Sequence, residues 1–187
     1  MSNLNNERKL KKYMIAKPPK FLILDVDGVL TTGQFLYSEN GKEYKVFGPH
    51  DNDGIKMISG KLEIVFLTAD KRGFKISKKR IVDDMKQKLV LVSEGDRLSY
   101  IENNYGLENV VYMGDGYFDA CILKKCFYGI APANARAEAK DAADYVTPSL
   151  SGEGAVLDAC LHIIDRFFNN NNNIELSDSG KNIPERF

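Results

Sequence analysis

The stretch Phe21-Leu22-Ile23-Leu24-Asp25-Val26-Asp27-Gly28-Val29-Leu30-Thr31 decides the fold. Five of its first six residues are apolar, which predicts a strand buried on both faces. Asp25 and Asp27 follow, just before a turn at Gly28, and alternation along a strand would point both carboxylates to one side. Two acids this close repel unless a cation or a shared proton relieves them, and Mg²⁺ prefers carboxylate oxygen. Asp and Gly are also common turn residues, so the stretch alone leaves open a metal site or an Asx-type turn.

The composition indicates an ordinary globular protein. The chain has 187 residues, 43% hydrophobic and 28% charged, which suits one domain with a sizeable core. Its 26 basic and 26 acidic residues give a formal net charge of +0, so nothing indicates nucleic acid or a membrane surface as a partner. We find no signal-peptide pattern and no apolar run near the ~18 residues of a membrane span.

The cysteines bear on the compartment. Cys121, Cys126 and Cys160 are odd in number and lack a CxxC spacing. A disulfide framework or a zinc site is therefore a poor interpretation, and we expect reduced, buried thiols. This predicts a cytoplasmic protein.

Strands and helices alternate along most of the chain. We expect a basic lead-in over residues 1–19, one domain over 20–168 and an asparagine-rich flexible tail over 169–187. After the first strand, the predicted strands cover 62–67, 89–92, 110–113, 127–130 and 145–146, and the predicted helices begin at 54, 71, 94, 120, 133 and 155. This order predicts an α/β fold, a Rossmann-like doubly wound parallel sheet covered by helices on both faces.

A hairpin is expected directly after the two acids. Asn40-Gly41 lies between aromatic and β-branched runs, and this is the strongest short-range signal for a β-hairpin. The hairpin would project from the loop that follows Asp27.

Polar residues end three of the predicted strands. They are Asp25 with Asp27, then Thr68, and then Gly114-Asp115, with Asp119 one helical turn later. The carboxyl ends of the strands are where a doubly wound sheet binds ligands. Three polar strand ends in one topology indicate a site far more strongly than a single pair of acids.

This pattern resembles the haloacid dehalogenase-like phosphatases. Residues 25–31 are similar to the first motif of that family, DxDGxxT, Thr68 to the second motif, and 114–119 to the GDxxxD form of the fourth. The closer resemblance is to the small capless branch typified by 3-deoxy-D-manno-octulosonate 8-phosphate phosphatase. It extends over about residues 20–168 and includes the hairpin and the segments 51–56, 133–135 and 151–156.

The resemblance implies a Mg²⁺-dependent phosphatase that works through an aspartyl-phosphate. Asp25 would attack phosphorus, which splits one hard hydrolysis into two easier steps. Asp27 would protonate the leaving alcohol and then deprotonate the attacking water.

The remaining site residues would bind the phosphate and the metal. Thr68, Arg97 and backbone amides near Gly28 would hold the phosphoryl oxygens. The metal ligands would be Asp25, the backbone carbonyl of Asp27 and Asp115, with Asp119 in the second metal shell.

Three positions depart from the family pattern. Arg97 stands where the third motif usually has lysine, and it would either bind phosphate with a different geometry or be a charge on the helix surface. Asp70 replaces the arginine of the usual Thr-Gly-Arg, which exchanges a cation for an anion near the pocket and bears on substrate more than on hydrolysis. Gly116 replaces the second acid of the commoner GDD pattern.

The chain has no insert long enough for a cap domain, and an uncapped site is open to water. Relatives form tetramers in which a neighbour's hairpin or tail covers each site. We therefore predict a homotetramer that hydrolyses a small phosphorylated sugar acid, 3-deoxy-D-manno-octulosonate 8-phosphate or a related nonulosonate or sugar phosphate, in cell-surface polysaccharide synthesis. The alternative is a catalytically weak oligomerisation domain associated with a sugar-acid cytidylyltransferase.

Overall fold

The computed structural model describes residues 17–169. The predicted lead-in over 1–19 and tail over 169–187 fall almost wholly outside the described residues, so the predicted division of the chain stays a prediction. The strands are β1 (Phe21–Asp25), β2 (Thr31–Ser38), β3 (Gly41–Phe47), β4 (Glu63–Thr68), β5 (Lys88–Leu91), β6 (Val110–Met113), β7 (Tyr128–Ala131) and β8 (Tyr145–Val146).

Six of these strands form one parallel sheet in the order β5-β4-β1-β6-β7-β8. The helices are α1 (Asp51–Ile58), α2 (Phe74–Lys78), α3 (Arg97–Tyr105), α4 (Ala120–Lys125), α5 (Ala137–Ala142) and α6 (Ala155–Phe167). The α/β fold with a parallel sheet is therefore confirmed.

Helices cover both faces of the sheet. Leu22 and Leu24 belong to a core cluster shared with α1 and α6, whereas Ile23 belongs to a second cluster shared with α3, α4 and α5. Strand β1 therefore contacts apolar side chains on both sides, as its continuous apolar sequence predicts.

Some helix boundaries differ from the predicted ones. The helix predicted over 71–88 is α2 followed by a wider π-type turn, Lys79–Asp84. Helix α5 begins at Ala137 rather than 133, because Asn134 is held by Ser151 in a turn. The Asn134 side chain accepts from the Ser151 amide and donates to its hydroxyl, both at 2.9 Å.

The sheet order brings the predicted site residues to one edge. Strand β1 lies between β4 and β6, where the chain switches from one side of the sheet to the other. Asp25 is in register with Leu67, and Leu24 with Met113, so Thr68 and Gly114 follow at the same level. This is the crevice in which doubly wound sheets bind ligands.

Strand β1 ends at Asp25, and a tight turn over Val26–Leu30 positions Asp27. The expectation that strand alternation sets the direction of Asp27 is therefore wrong. Gly28 has a φ of +84°, a conformation that strongly favours glycine. A Cβ at this position would also lie 2.2 Å from Oδ2 of Asp115. Glycine is thus needed both for the turn and for the close approach of Asp115.

Two segments named for the family resemblance lie together. The Asp51 side chain at the start of α1 is buried and accepts from the Val156 amide in the first turn of α6, at 3.0 Å. At Gly54, a Cβ would lie 2.7 Å from the backbone of Leu157. Residues 51–56 and 151–156 therefore join α1 to α6.

Strands β2 and β3 pair antiparallel in a separate two-stranded sheet, with Ser38 opposite Gly41. The side chain of Lys45 on β3 is buried, whereas its neighbours Tyr44 and Val46 are exposed. The usual distribution is inverted here, since the apolar side chains face outward and a cation faces inward.

The cysteines are free thiols, with Cys126 and Cys160 buried. Cys121 is exposed, so the expectation that all three are buried is wrong for it. It lies in the first turn of α4 on the side away from the core. Among residues 17–169, no helix is long and apolar enough to cross a membrane.

Candidate active site

A cleft of about 540 Å³ opens at the carboxyl edge of the sheet. Five of the residues predicted for the site line it, and they are Asp25, Asp27, Arg97, Asp115 and Asp119. Lys42 and Phe35 from the hairpin and Phe118 from the loop before α4 form further parts of the wall.

Asp25 is buried at the base of the cleft. Its Oδ1 accepts from the Val26 amide at 2.7 Å, and its Oδ2 lies 2.9 Å from Nη1 of Arg97. Burial raises the pKa of Asp25 to about 7, an effect that Arg97 partly opposes and that the neighbouring carboxylates of Asp119 and Asp115 reinforce. A carboxylate in this position is costly to ionise without additional positive charge.

Asp115 and Asp119 lie beside Asp25. One carboxylate oxygen of each of the three residues lies within 4.8 Å of the others, a spacing that suits a metal ion. Burial, and then the charge of Asp119, raises the pKa of Asp115 to about 7. Three carboxylates in a buried cluster are oxygen ligands of the kind that Mg²⁺ binds. The residues present therefore fit a hard divalent cation.

Asp119 accepts from three protein donors, one more than Asp25, whose two oxygens face the Val26 amide and Arg97. Oδ1 accepts from Nη1 of Arg97 at 3.0 Å and from the Tyr112 hydroxyl, and Oδ2 accepts from the Gly116 amide at 2.9 Å. An acid that already accepts from three protein donors is better suited to orient other groups than to ligate an ion directly. This supports the expectation that Asp119 orients groups around a metal ion without binding the ion itself.

Arg97 begins α3 and points into the cleft base. Only 4% of the residue is exposed, so the alternative that Arg97 is a charge on the helix surface is wrong. Nη1 contacts Asp25, Asp119 and the Tyr112 hydroxyl, the last at 3.1 Å. The guanidinium thus offsets two carboxylates that would otherwise repel each other.

Asp27 lies above Asp25 and is held by the hairpin. Its Oδ2 accepts from Nζ of Lys45 at 2.8 Å, and the Thr31 hydroxyl lies 3.5 Å from Oδ1. The carboxylate remains partly exposed, with 19% of its side chain accessible. It is therefore positioned to meet a substrate from the open side of the cleft.

Asp70 does not face the cleft as an unpaired anion. Its Oδ2 lies 2.6 Å from Nζ of Lys42 and 2.9 Å from Nζ of Lys45, and its Oδ1 accepts from the Gly73 amide at 3.0 Å. Burial alone would raise the pKa of Asp70, but the two lysines lower that pKa below its usual range. The anion added by Asp70 is thus compensated by two cations from β3.

Thr68 and Gly28 are not among the residues that line the open cleft. Thr68 is buried, and its hydroxyl accepts from the Asp70 amide at 3.1 Å. The Gly28 amide lies 3.3 Å from the Thr31 hydroxyl. Both residues stay at the correct edge of the sheet, and their phosphate contacts remain predictions.

Sequence reasoning missed three side chains of this site, Lys42, Lys45 and Tyr112. The sequence did indicate that Lys45 lies on the opposite face of its strand from Tyr44 and Val46, since these residues alternate along the strand. Nothing in the sequence indicated which acid it would meet, because the partners are distant along the chain.

The fold and the acidic cleft define a haloacid dehalogenase-like hydrolase, and the chain belongs to that family. The family model of haloacid dehalogenase-like hydrolases matches residues 91–159. The 3-deoxy-D-manno-octulosonate 8-phosphate phosphatase KdsC of Salmonella typhi is 32% identical over 153 residues, which cover 75% of this chain and 77% of that protein. Within the family, this chain is thus a phosphatase that resembles the 3-deoxy-D-manno-octulosonate 8-phosphate phosphatases.

Solved structures agree with this assignment. A probable yrbi family phosphatase from Pseudomonas syringae pv. phaseolica 1448a superposes with a TM-score of 0.74 at 28% identity, covering 88% of this chain and 93% of that one. The cobalt-bound deoxy-D-mannose-octulosonate 8-phosphate phosphatase of Haemophilus influenzae gives a TM-score of 0.69 at 27% identity, covering 83% and 91%.

Proposed function

We propose that this phosphatase is a Mg²⁺-dependent phosphomonoesterase that forms an aspartyl-phosphate on Asp25. The proposed substrate is a small phosphorylated sugar acid, 3-deoxy-D-manno-octulosonate 8-phosphate or a related nonulosonate or sugar phosphate of cell-surface polysaccharide synthesis. The observation that carries the proposal is the cluster of Asp25, Asp115 and Asp119 at the cleft base, with Asp27 beside it.

In the first step, a carboxylate oxygen of Asp25 attacks phosphorus while the bond from phosphorus to the leaving oxygen breaks. Asp27 gives its proton to that oxygen, so the product leaves as an alcohol. Arg97 contacts Asp25 and places a positive charge where phosphoryl charge must approach. In the second step, Asp27 takes a proton from water, which hydrolyses the aspartyl-phosphate and frees Asp25.

Asp25, the backbone carbonyl of Asp27 and Asp115 would hold the metal, and Asp119 would orient Arg97 and Tyr112 behind them. When bound, Mg²⁺ supplies positive charge that offsets the repulsion between a carboxylate nucleophile and a phosphate dianion. The H. influenzae relative was solved in a cobalt-bound form, which supports a metal-dependent reaction in this chain.

We further propose a homotetramer in which a neighbour's hairpin or tail covers each cleft. The exposed apolar side chains of β2 and β3 support it, since Leu36, Tyr37 and Tyr44 are each more than half exposed in the single chain. The cytoplasmic location predicted from the sequence remains a prediction.

A phosphate-release screen over sugar phosphates tests the proposed function. We expect release with Mg²⁺, no release after chelation, and loss of release in Asp25→Asn, which keeps the size of the side chain but removes the nucleophile. The matched control is Asp144→Asn, which changes an acid on the far side of the sheet that accepts from the Gly129 amide. No release from any substrate by pure, metal-loaded protein would contradict the proposal and favour the oligomerisation-domain alternative.

A further inference from the structure

Lys45 is a buried cation that contacts two acids lining the cleft, Asp27 and Asp70, although it belongs to the hairpin and not to the parallel sheet. Nζ donates to Oδ2 of Asp27 at 2.8 Å, to Oδ2 of Asp70 at 2.9 Å and to the Ser77 hydroxyl at 2.9 Å. An ammonium group has three N–H donors, so these contacts use all of them. The side chain of Lys45 has no exposed surface.

This arrangement holds Asp27 at Oδ2 and leaves Oδ1 able to carry the proton. Lys45 holds Oδ2, and the Thr31 hydroxyl lies 3.5 Å from Oδ1. Thr31 is itself fixed, since its Oγ1 accepts from the amides of Gly28 and Gly33 at 3.3 and 3.2 Å. The terminal torsion of an aspartate is otherwise broad, so these contacts restrict a side chain that would rotate freely.

We propose that Lys45 is a positioning residue for Asp27, an inference that rests on the proposed function. Packing of the hairpin against the cleft would then complete the acid–base site. While Asp25 forms its bond to phosphorus and the bond to the leaving oxygen breaks, the proton of Asp27 passes to that oxygen. This transfer requires Asp27 to lie within hydrogen-bond reach of the leaving oxygen, and Lys45 sets that position.

The second lysine of the hairpin supplies a contrast. Lys42 also pairs with Asp70, at 2.6 Å, and its Nζ lies 3.4 Å above the centre of the Phe35 ring. Of the two lysines, only Lys45 is bonded to Asp27. Because Lys42 lines the cleft and can meet the substrate, the control lysine is taken from outside it: Lys79 is exposed and pairs with Asp84 at 3.1 Å.

The test compares two leaving groups through kcat/KM, which reports the steps up to release of the alcohol. A sugar phosphate releases a strongly basic alkoxide that needs the proton of Asp27, whereas p-nitrophenyl phosphate releases a weakly basic phenolate that does not. We expect Lys45→Met to lower the ratio of sugar phosphate to p-nitrophenyl phosphate kcat/KM by about 10- to 100-fold, as expected for loss of general acid catalysis. Lys45→Arg, which keeps a charged donor, should recover part of the ratio.

Lys79→Met, the control outside the cleft, should leave both values of kcat/KM, and so their ratio, unchanged. Lys45→Gln, which is uncharged but polar, serves as the second variant if Lys45→Met does not fold, and its ratio should fall in the same direction. An unchanged ratio in the folded variant, or an equal change in Lys79→Met, would overturn the inference. No hydrolysis by the wild type would contradict the proposed function and the inference with it, whereas an active wild type with an unchanged ratio would contradict the inference alone.

Discussion

The charges around Asp25 balance only in part. Asp25, Asp115 and Asp119 gather at the base of the cleft, and Arg97 is the cation that contacts two of them. Burial and mutual repulsion hold the pKa values of Asp25 and Asp115 at about 7. A divalent cation would relieve this excess of negative charge. The same excess makes Arg97 important to the stability of the fold as well as to catalysis.

We predict that Arg97→Met destabilises the protein by about 3–5 kcal/mol, because it leaves buried carboxylates without their partner. Arg97→Lys should lose less, since the charge remains. Chemical denaturation in the absence of metal measures the change in the free energy of unfolding. The control is Arg136→Met, whose exposed pair with Glu138 should contribute about 0–1 kcal/mol. Equal losses in the two methionine variants would contradict the role assigned to Arg97.

Among the residues of the site, those that lie at the ends of strands could be predicted from the sequence. Asp25 ends one apolar strand and Asp115 lies two residues after the end of another, so topology alone brings them together. Lys45 and Tyr112 could not be assigned, because their roles depend on which side chains from distant segments pack against them. The orientation of the Asp27 side chain also could not be predicted from the sequence, because the turn at Gly28 determines it.

Among the elements, the hairpin has two different faces. Lys42 and Lys45 attach it to the cleft through Asp70 and Asp27, whereas Leu36, Tyr44 and Val46 remain exposed. The sequence indicated the turn at Asn40-Gly41, and the strands end beside it. It did not indicate that the charged face would lie inward, since this depends on the acids of the cleft. The outward apolar face is the surface that a second subunit would cover.

We predict that Leu36→Glu combined with Tyr44→Glu converts the proposed tetramer to smaller species, because charges on this face oppose its burial. Light scattering coupled to gel filtration measures the mass in solution. The matched control is Met57→Glu, which changes a side chain that is 52% exposed on α1, away from the hairpin. A wild type that is already monomeric, or a double variant that stays tetrameric, would contradict the proposed assembly.

On the scale of the whole molecule, the order of strands in the sheet brings together site residues from three parts of the chain. Strands β4 and β6 flank β1, so the loops after all three meet at one edge. Alternating apolar segments were sufficient to predict this architecture, since parallel sheets with helices on both faces bury every strand. The bounds of α2 and α5 were less predictable, because local contacts such as the one between Asn134 and Ser151 determine them.

Metal binding should stabilise the whole fold in a pH-dependent way. The folded-state pKa values of Asp25 and Asp115, both raised to about 7, mean that their contribution to stability is present below the usual value of 3.8 and is lost as the pH rises through about 7. A cation requires ionised carboxylates, so its stabilising effect should grow over the same interval. We predict that Mg²⁺ raises the Tm more at about pH 8 than at about pH 5.5, where protons compete with it.

Thermal unfolding with Mg²⁺ and with a chelator at each pH measures this difference. Asp115→Asn should remove most of the Mg²⁺ effect, whereas Asp144→Asn should retain it. An equal Mg²⁺ shift at both pH values, or a full shift in Asp115→Asn, would place the metal elsewhere.

The formation of an aspartyl-phosphate on Asp25 is the central claim, and trapping it is the most direct test. Asp27→Asn should still accept phosphate from p-nitrophenyl phosphate, which needs no acid, but it lacks the base that hydrolyses the intermediate. We therefore predict that acid-quenched Asp27→Asn protein carries one phosphoryl group, located by peptide mass spectrometry on Asp25 and removed by hydroxylamine. A phosphoryl group on another residue, or turnover by the wild type with no adduct in either protein, would contradict the account.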